Sequence, residues 1–322
     1  MSPAADDDPP QHSPVERWLS FGATIIAPAT VLSAVLFYFG YVSARAQYEY
    51  FGVDVDAIGL STRDYVMRSP QPLLVPLLVL TLLGVGGLAM HTTLRRHIAA
   101  RGDEGVAIAA FRQRTRRASV AGLAVLGLGV LLLFAYPYVR DWPLFNLVTP
   151  LLIGLGASGI AYASHVRSLL TGRTRGVSAR QDTAGNVALR RAVGLLLGVI
   201  VAATTFWATA TVAQWSGRGI ARYDARHLDQ FPAVILDTKE RLYLTDGCQH
   251  VTEPQAACIQ ETALPAAQGQ TYRFRYRHFR LLIQGDNQMF LVPDVWSASD
   301  STLVVPMDGS VRVQFQFEND PP

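Results

Sequence analysis

Five stretches of the chain, residues 18–42, 72–90, 120–138, 143–164 and 192–215, are apolar on every side and contain no Asp, Glu, Lys, Arg or His. A helix needs about 20 such residues to cross the hydrocarbon core of a bilayer, where its backbone can be satisfied only internally. The pattern predicts an α-helical membrane domain of five transmembrane helices over residues 18–215, preceded by a disordered cytoplasmic N-terminus at 1–17. Beyond Ala221 the continuous runs give way to short alternating ones separated by turn residues, the mark of half-buried strands. Residues 233–236 and 241–245 read as a hairpin around Thr238-Lys239-Glu240, and 281–284 and 289–292 flank the turn Gly285-Asp286-Asn287. In 311–318, Val311, Val313, Phe315 and Phe317 alternate with Arg312, Gln314, Gln316 and Glu318, as in a strand with one wet face. A small all-β extracytoplasmic domain at 221–318, a sandwich or small barrel of about six or seven strands, is therefore expected after the spans.

Composition agrees: 50% of the residues are hydrophobic, 16% are charged and the mean hydropathy is positive, so a soluble fold would lack polar surface to cover five such runs. The net charge of +3 matters less than its distribution. Cytoplasmic loops of membrane proteins are enriched in Lys and Arg. The loop at 91–119 holds Arg95, Arg96, Arg101, Arg112, Arg114, Arg116 and Arg117, and the loop at 165–191 holds Arg167, Arg173, Arg175, Arg180, Arg190 and Arg191. Both belong in the cytoplasm. The alternate loops, 43–71 and 139–142, carry fewer arginines mixed with acids and belong outside. The expected product is a multi-pass protein of the plasma membrane with a cytoplasmic N-terminus and an extracytoplasmic C-terminal domain. Tyr38, Tyr41, Tyr136, Tyr138, Trp142 and Trp215 fall at the outer ends of the spans, as an interfacial aromatic belt would.

The only cysteines, Cys248 and Cys258, both lie in the C-terminal segment, where export permits a disulfide. Closing so short a loop is worth roughly 2–3 kcal/mol. Two reduced structural thiols are the plain alternative, and zinc would need more ligands than His250 adds.

The most basic stretch of this segment is 272–280. Tyr272, Phe274 and Tyr276 share one face at period two and turn to the core, while Arg273, Arg275 and Arg277 share the other. His278-Phe279-Arg280 breaks the alternation as a bulge does. RNA-binding sheets instead expose their aromatics, so nucleic acid is not the expected partner. Arg273, Arg275, Arg277 and Arg280 read either as a solvated face or as a surface for an anionic partner: phospholipid headgroups, a cell-wall polymer or an acidic envelope protein.

The stretch 44–68, with Tyr48-Glu49-Tyr50-Phe51-Gly52-Val53-Asp54 and Leu60-Ser61-Thr62-Arg63-Asp64-Tyr65, resembles a group of actinobacterial multi-pass membrane proteins of uncharacterised activity. Residues 272–293 are similar to the C-terminal module of that group, where an aromatic-Arg-aromatic-Arg strand runs into Arg280-Leu281-Leu282, a turn and Phe290-Leu291-Val292-Pro293. His278-Phe279 departs from the group's pattern of a small residue followed by Leu. The resemblance implies the architecture and no activity.

Within the loop at 43–71, Ser61-Thr62-Arg63-Asp64 has the form of a capping box, which predicts a short helix over 62–68 ending before Pro70. Lying along the outer membrane surface, that helix would dip Tyr65, Val66 and Met67 into it. Asp54, Asp56 and Gly59 faintly suggest a calcium loop, but Ile58 and Tyr65 occupy its fifth and twelfth positions and exclude an EF-hand. A weak divalent site from Asp54, Asp56 and Asp64 is one reading, and capping is the other.

The spans offer no ionisable side chain for proton or ion handling and no nucleophile–base motif, and no glycine-rich phosphate loop follows a predicted strand. No cofactor is expected. Gly154, Gly156, Ser158 and Gly159 and Thr204, Thr205, Thr209 and Thr211 suit contacts between helices. The leading reading is a non-enzymatic membrane anchor that displays a β-module for binding or sensing. The alternatives are a subunit of an oligomeric transporter or channel, built as a homo-oligomer around the fifth span, and a membrane enzyme with Asp294, Asp300 and Asp308 as its candidate acids.

Overall fold

Helices long and apolar enough to cross a bilayer occur at Ile26–Glu49, Pro70–Arg96, Gln113–Phe134, Phe145–Arg167 and Ala188–Asp224, five among the described residues, and an antiparallel β-sheet follows them. The computed structural model describes residues 14–100, 105–139, 141–174, 184–244, 259–265, 269–297 and 299–316. Cys248 and Cys258, with the expected disulfide, lie outside the described residues, as do residues 1–13. The chain divides into two compact units, residues 72–219 and residues 1–71 with 220–322.

The first of these is helical. It contains most of α4 (Pro70–Ala100), then α5 (Gly105–Phe134), the short α6 (Tyr136–Val139), α7 (Phe145–Thr174) and most of α8 (Ala184–Asp224). Pro76 lies within α4, and the helix continues through it. α5 stops at Phe134, short of the expected end of the third span at Tyr138, because Pro137 cannot donate to the preceding turn and α6 restarts there. α5 and α7 meet backbone to backbone. A Cβ on Gly156 would stand 2.5 Å from the Leu126 amide nitrogen and 2.8 Å from the Gly122 carbonyl oxygen, so this crossing requires glycine. Of the threonines of α8, Thr204 and Thr209 donate to the Ile200 and Thr205 carbonyls of their own helix, whereas Thr211 reaches the carbonyl of Asn146 in α7 at 3.0 Å.

The second unit joins two distant pieces of sequence. From the N-terminal side come α1 (Pro14–Glu49), α2 (Val55–Ile58) and α3 (Thr62–Arg68); from the C-terminal side come the last turn of α8, a 3-10 turn at Leu228–Gln230 and the strands. The strands are β1 (Ala233–Thr238), β2 (Gln260–Ala263), β3 (Phe274–Gln284), β4 (Gln288–Pro293), β5 (Leu303–Pro306) and β6 (Val311–Gln316). They form one antiparallel sheet in the order β5-β4-β3-β1-β6, with β2 paired to the first half of β3, and the sheet is not closed into a barrel.

The expected hairpin after β1 is not formed. Residues 241–244 are not a strand, and both edges of β1 are taken by partners from later in the chain, β3 and β6. The expected bulge is present. Val234 pairs with Phe279 and Leu236 with Tyr276, so β3 carries one extra residue, and His278 there adopts a left-handed φ of 69°.

One face of the sheet packs Val234, Leu236, Tyr276, Phe279, Met289, Leu291 and Val305 together. Part of the other face is covered by the loop after the first span. Phe51, Val53, Val55, Ile58 and Tyr65 are buried in a common core with Tyr48 of α1, Ala221 of α8, Leu228, and Leu282, Phe290 and Val292 of the sheet. The expectation that α3 dips Tyr65 into the membrane surface is corrected here. Tyr65 is buried, its ring 5.4 Å from Phe37 and 5.5 Å from Tyr41, and only Met67 is fully turned out.

Candidate functional site

Two features of this unit carry its chemistry, the clasp of the loop on the sheet and the charged remainder of the covered face. The clasp closes on backbone atoms. Thr302 Oγ1 donates to the Phe51 carbonyl at 2.6 Å, Gln288 Nε2 donates to the Ala57 carbonyl, and the Phe51 ring lies edge-on to Trp296 at 5.1 Å. A Cβ on Gly285 would stand 2.2 Å from the carbonyl oxygen of Ile58, so the β3–β4 turn can approach the loop only with glycine there. Two bonds tie the helices into the same assembly. Arg68 Nη1 donates to the Tyr48 hydroxyl at 2.8 Å, and Gln47 Nε2 donates to Asp224 Oδ2 at 2.9 Å.

The aspartates of the loop serve this geometry separately. Asp54 caps α2 through the Asp56 amide, Asp56 accepts from the Tyr41 hydroxyl at 3.2 Å, and Asp64 completes the expected capping box with Ser61. The Ser61 hydroxyl and amide hold the Asp64 carboxyl below its ordinary range. No three His, Cys, Asp or Glu side chains converge among the described residues, so the divalent site weighed over Asp54, Asp56 and Asp64 is not assembled.

The four arginines of the basic strand have different fates. Arg275 lies opposite Asp237 of β1 and binds it with two bonds of 2.8 and 3.0 Å; Arg312 of β6, on the far side of β1, binds the same carboxylate. Asp237 is fully buried between them, and the hydrogen bond from Arg275 above all holds its carboxyl below the ordinary range, against the opposing effect of burial. Arg280 is also buried, donating to Asp294 at 2.7 Å and to the Phe231 carbonyl at 3.1 Å. Asp294 also accepts from His278 at 3.1 Å when that nitrogen carries its proton, so the bulge is tied to the end of β4. The candidate anionic-partner face thus narrows: Arg275 and Arg280 are committed inside the module, whereas Arg273 and Arg277 are exposed and have no ion-pair partner among the described residues.

Arg312 was not among the expected face residues. It joins them because β6 returns beside β1, and its side chain remains 47% exposed. The alternation of Arg312 with Val311 and Val313 was the legible sign. Phe274 and Tyr276 turn to the core as expected, but Tyr272 precedes the strand and places its ring under the Arg312 guanidinium at 5.3 Å. The acids considered for an enzyme are turn and pairing residues: Asp300 accepts from the Ser297 amide, Asp308 from the Ser310 amide, and Asp294 holds the bulge. Compared with protein-family models, curated proteins and solved structures, the chain finds no match in any of the three.

Proposed function

We propose that this is a plasma-membrane protein that keeps its N-terminus in the cytoplasm and holds the β-module outside to bind or sense an anionic partner. The observation that carries the reading is the core shared by the loop at 43–71 and the segment after α8. Two segments with one core lie on one side of the bilayer. Four apolar helices separate them, an even number of crossings. The arginine-rich loops at 91–119 and 165–191 fall on the opposite side, which the charge rule assigns to the cytoplasm. Supporting a binding role are Arg273 and Arg277, exposed and without an ion-pair partner among the described residues, and the half-exposed Arg312 of β6.

The clasp gives a bound module a direct connection to the first and fifth spans, through Tyr48 and Ala221 in its own core. Intact cells expressing the full chain test the sidedness. After mild reduction, an impermeant thiol reagent should label Cys248 and Cys258 without permeabilisation. Labelling only after the cells are opened would reverse the topology and remove the reading.

A further inference from the structure

We propose that the open half of the arginine-bearing sheet face seats the anionic phospholipid headgroups of the leaflet from which the module emerges. This rests on the reading of the module as an anion-binding element and names its partner. The strand register fixes which residues share the face. Arg280 lies opposite Val292, and Val292 packs with Ala44 and Tyr48 from the end of α1 and Ala221 from the end of α8. The face that carries Arg280 is therefore the one on which the spans arrive. Across the bulge, alternation along β3 puts Arg277 and Arg275 on this same side, opposite Gln260 and Thr262 of β2, and cross-strand pairing adds Asp237 of β1 and Arg312 and Gln314 of β6. One half of the face is covered by residues at the ends of the first and fifth spans, and the other half of the same face is exposed.

That open half is polar and cationic. Gln260, Thr262, Arg277, Arg312 and Gln314 are all exposed, and Asp237, the acid that the register places there among the described residues, is already held by two guanidinium groups. Arg222 in the last turn of α8 and Arg226 just beyond it are exposed as well, adding cations where the fifth span ends. Guanidinium groups match phosphodiester oxygens in geometry as well as charge. The other side of β6 presents Val311, Val313 and Phe315, so a soluble polyanion approaching the module from beyond would meet no comparable cationic row there.

The test uses the full chain in nanodiscs of phosphatidylcholine alone or with added phosphatidylglycerol, read by hydrogen exchange and by the lipids retained in native mass spectrometry. Phosphatidylglycerol should slow exchange over β2, the start of β3 and β6, and should be retained in preference to phosphatidylcholine. The preference should fall roughly fivefold for each arginine removed in Arg277→Gln and in the Arg277→Gln/Arg312→Gln pair, and it should survive in the corresponding lysine variants. Arg277→Gln alone breaks no side-chain bond among the described residues, and unchanged exchange in β4 would show that the module is intact. Equal exchange and equal retention in the two lipids would overturn the proposal. Protection by soluble poly(glycerol phosphate) in phosphatidylcholine discs, without protection by phosphatidylglycerol, would overturn it in favour of a wall polymer. Nanodiscs expose both leaflets, so this outcome does not depend on the sidedness that thiol labelling decides.

Discussion

Two of the close backbone approaches that glycine permits in this chain have different physical reasons. Where α5 crosses α7 at Gly156, the surroundings are hydrocarbon, side chains gain nothing by leaving lipid, and close van der Waals contact supplies the attraction. Where the Gly285 turn meets Ile58, the contact rims an aromatic core that the loop and the sheet withdraw from water together. The spans satisfy their own backbones and need no neighbour to remain helical. The sheet has no such independence, because Leu282, Phe290 and Val292 on its covered face are buried by residues more than two hundred positions earlier.

The largest effect should follow from taking that comparison literally. Excising residues 220–322 removes Tyr48, Phe51, Val53, Val55 and Ile58 from the core, a loss on the order of 10 kcal/mol at about 2 kcal/mol per buried side chain. The fragment alone should give no dispersed amide spectrum as a monomer. A well-dispersed spectrum would show that the module folds without the loop. Within the full chain, Phe51→Ala should cost about 3–5 kcal/mol, since the ring is 1% exposed and packs on Trp296. Hydrogen exchange should then rise together in the loop and in β4, while the α5–α7 pair stays protected.

A matched pair of substitutions sharpens the contrast. Gly285→Ala and Gly156→Ala each force a backbone apart, with added Cβ atoms 2.2 Å and 2.5 Å from main-chain atoms, and each should cost about 1–3 kcal/mol. The first should loosen the loop and β4, and the second only the helical pair. Crossed effects in local exchange measurements would mean that the two contacts are not separate.

This division also separates what was legible in the sequence from what was not. Spans announce themselves by continuous apolarity, and Gly156 fits a rule of small residues that needs no knowledge of the partner. The capping box at Ser61 and the bulge at His278 are local, so both could be read from a few residues. The clasp could not. Phe51, Val53, Val55, Ile58 and Tyr65 have no single period, because Gly52 and Gly59 turn the chain with positive φ between short helices, and their partners lie at the other end of the sequence. The internal partners of the basic strand were hidden for a related reason. Asp237 and Asp294, which occupy Arg275 and Arg280, are identified as partners only by strand register and by the end of β4. The hairpin after β1 failed in the same way, since its pattern fits a strand but the edge it needed belongs to β6.

The charged side of the module should respond to acid, unlike the spans, which carry no acids in their apolar runs. Because Arg275 and then Arg312 hold Asp237 below its unfolded value, the unfolded chain binds the extra proton first. The stabilisation is therefore complete above the ordinary carboxylate range and is lost as the pH falls through the depressed value. Asp237→Asn should cost about 2 kcal/mol at neutral pH, the worth of hydrogen bonds to a charged group, and should flatten the acid limb of a thermal-unfolding profile. An unchanged acid limb would mean that other carboxylates, such as Asp64 or Asp308, govern it.

The smallest change tests how tightly the loop is coupled to the sheet. Ser61→Ala removes the side-chain half of the capping box, leaving the Asp64 amide without its 3.3 Å acceptor, and a lost cap of this kind costs about 1 kcal/mol. If α3 is an independent turn of helix, exchange should quicken about fivefold over residues 62–68 and nowhere else. Tyr65 is buried against Phe37 and Tyr41, and a Cβ on Gly40 would lie 1.9 Å from its carbonyl oxygen, so α3 is wedged against α1 rather than free. The expected result is therefore a smaller local increase, with a measurable share appearing in β4. Confinement of the whole effect to α3 would place the coupling in Phe51 and Ile58 alone and leave the short helix outside the clasp.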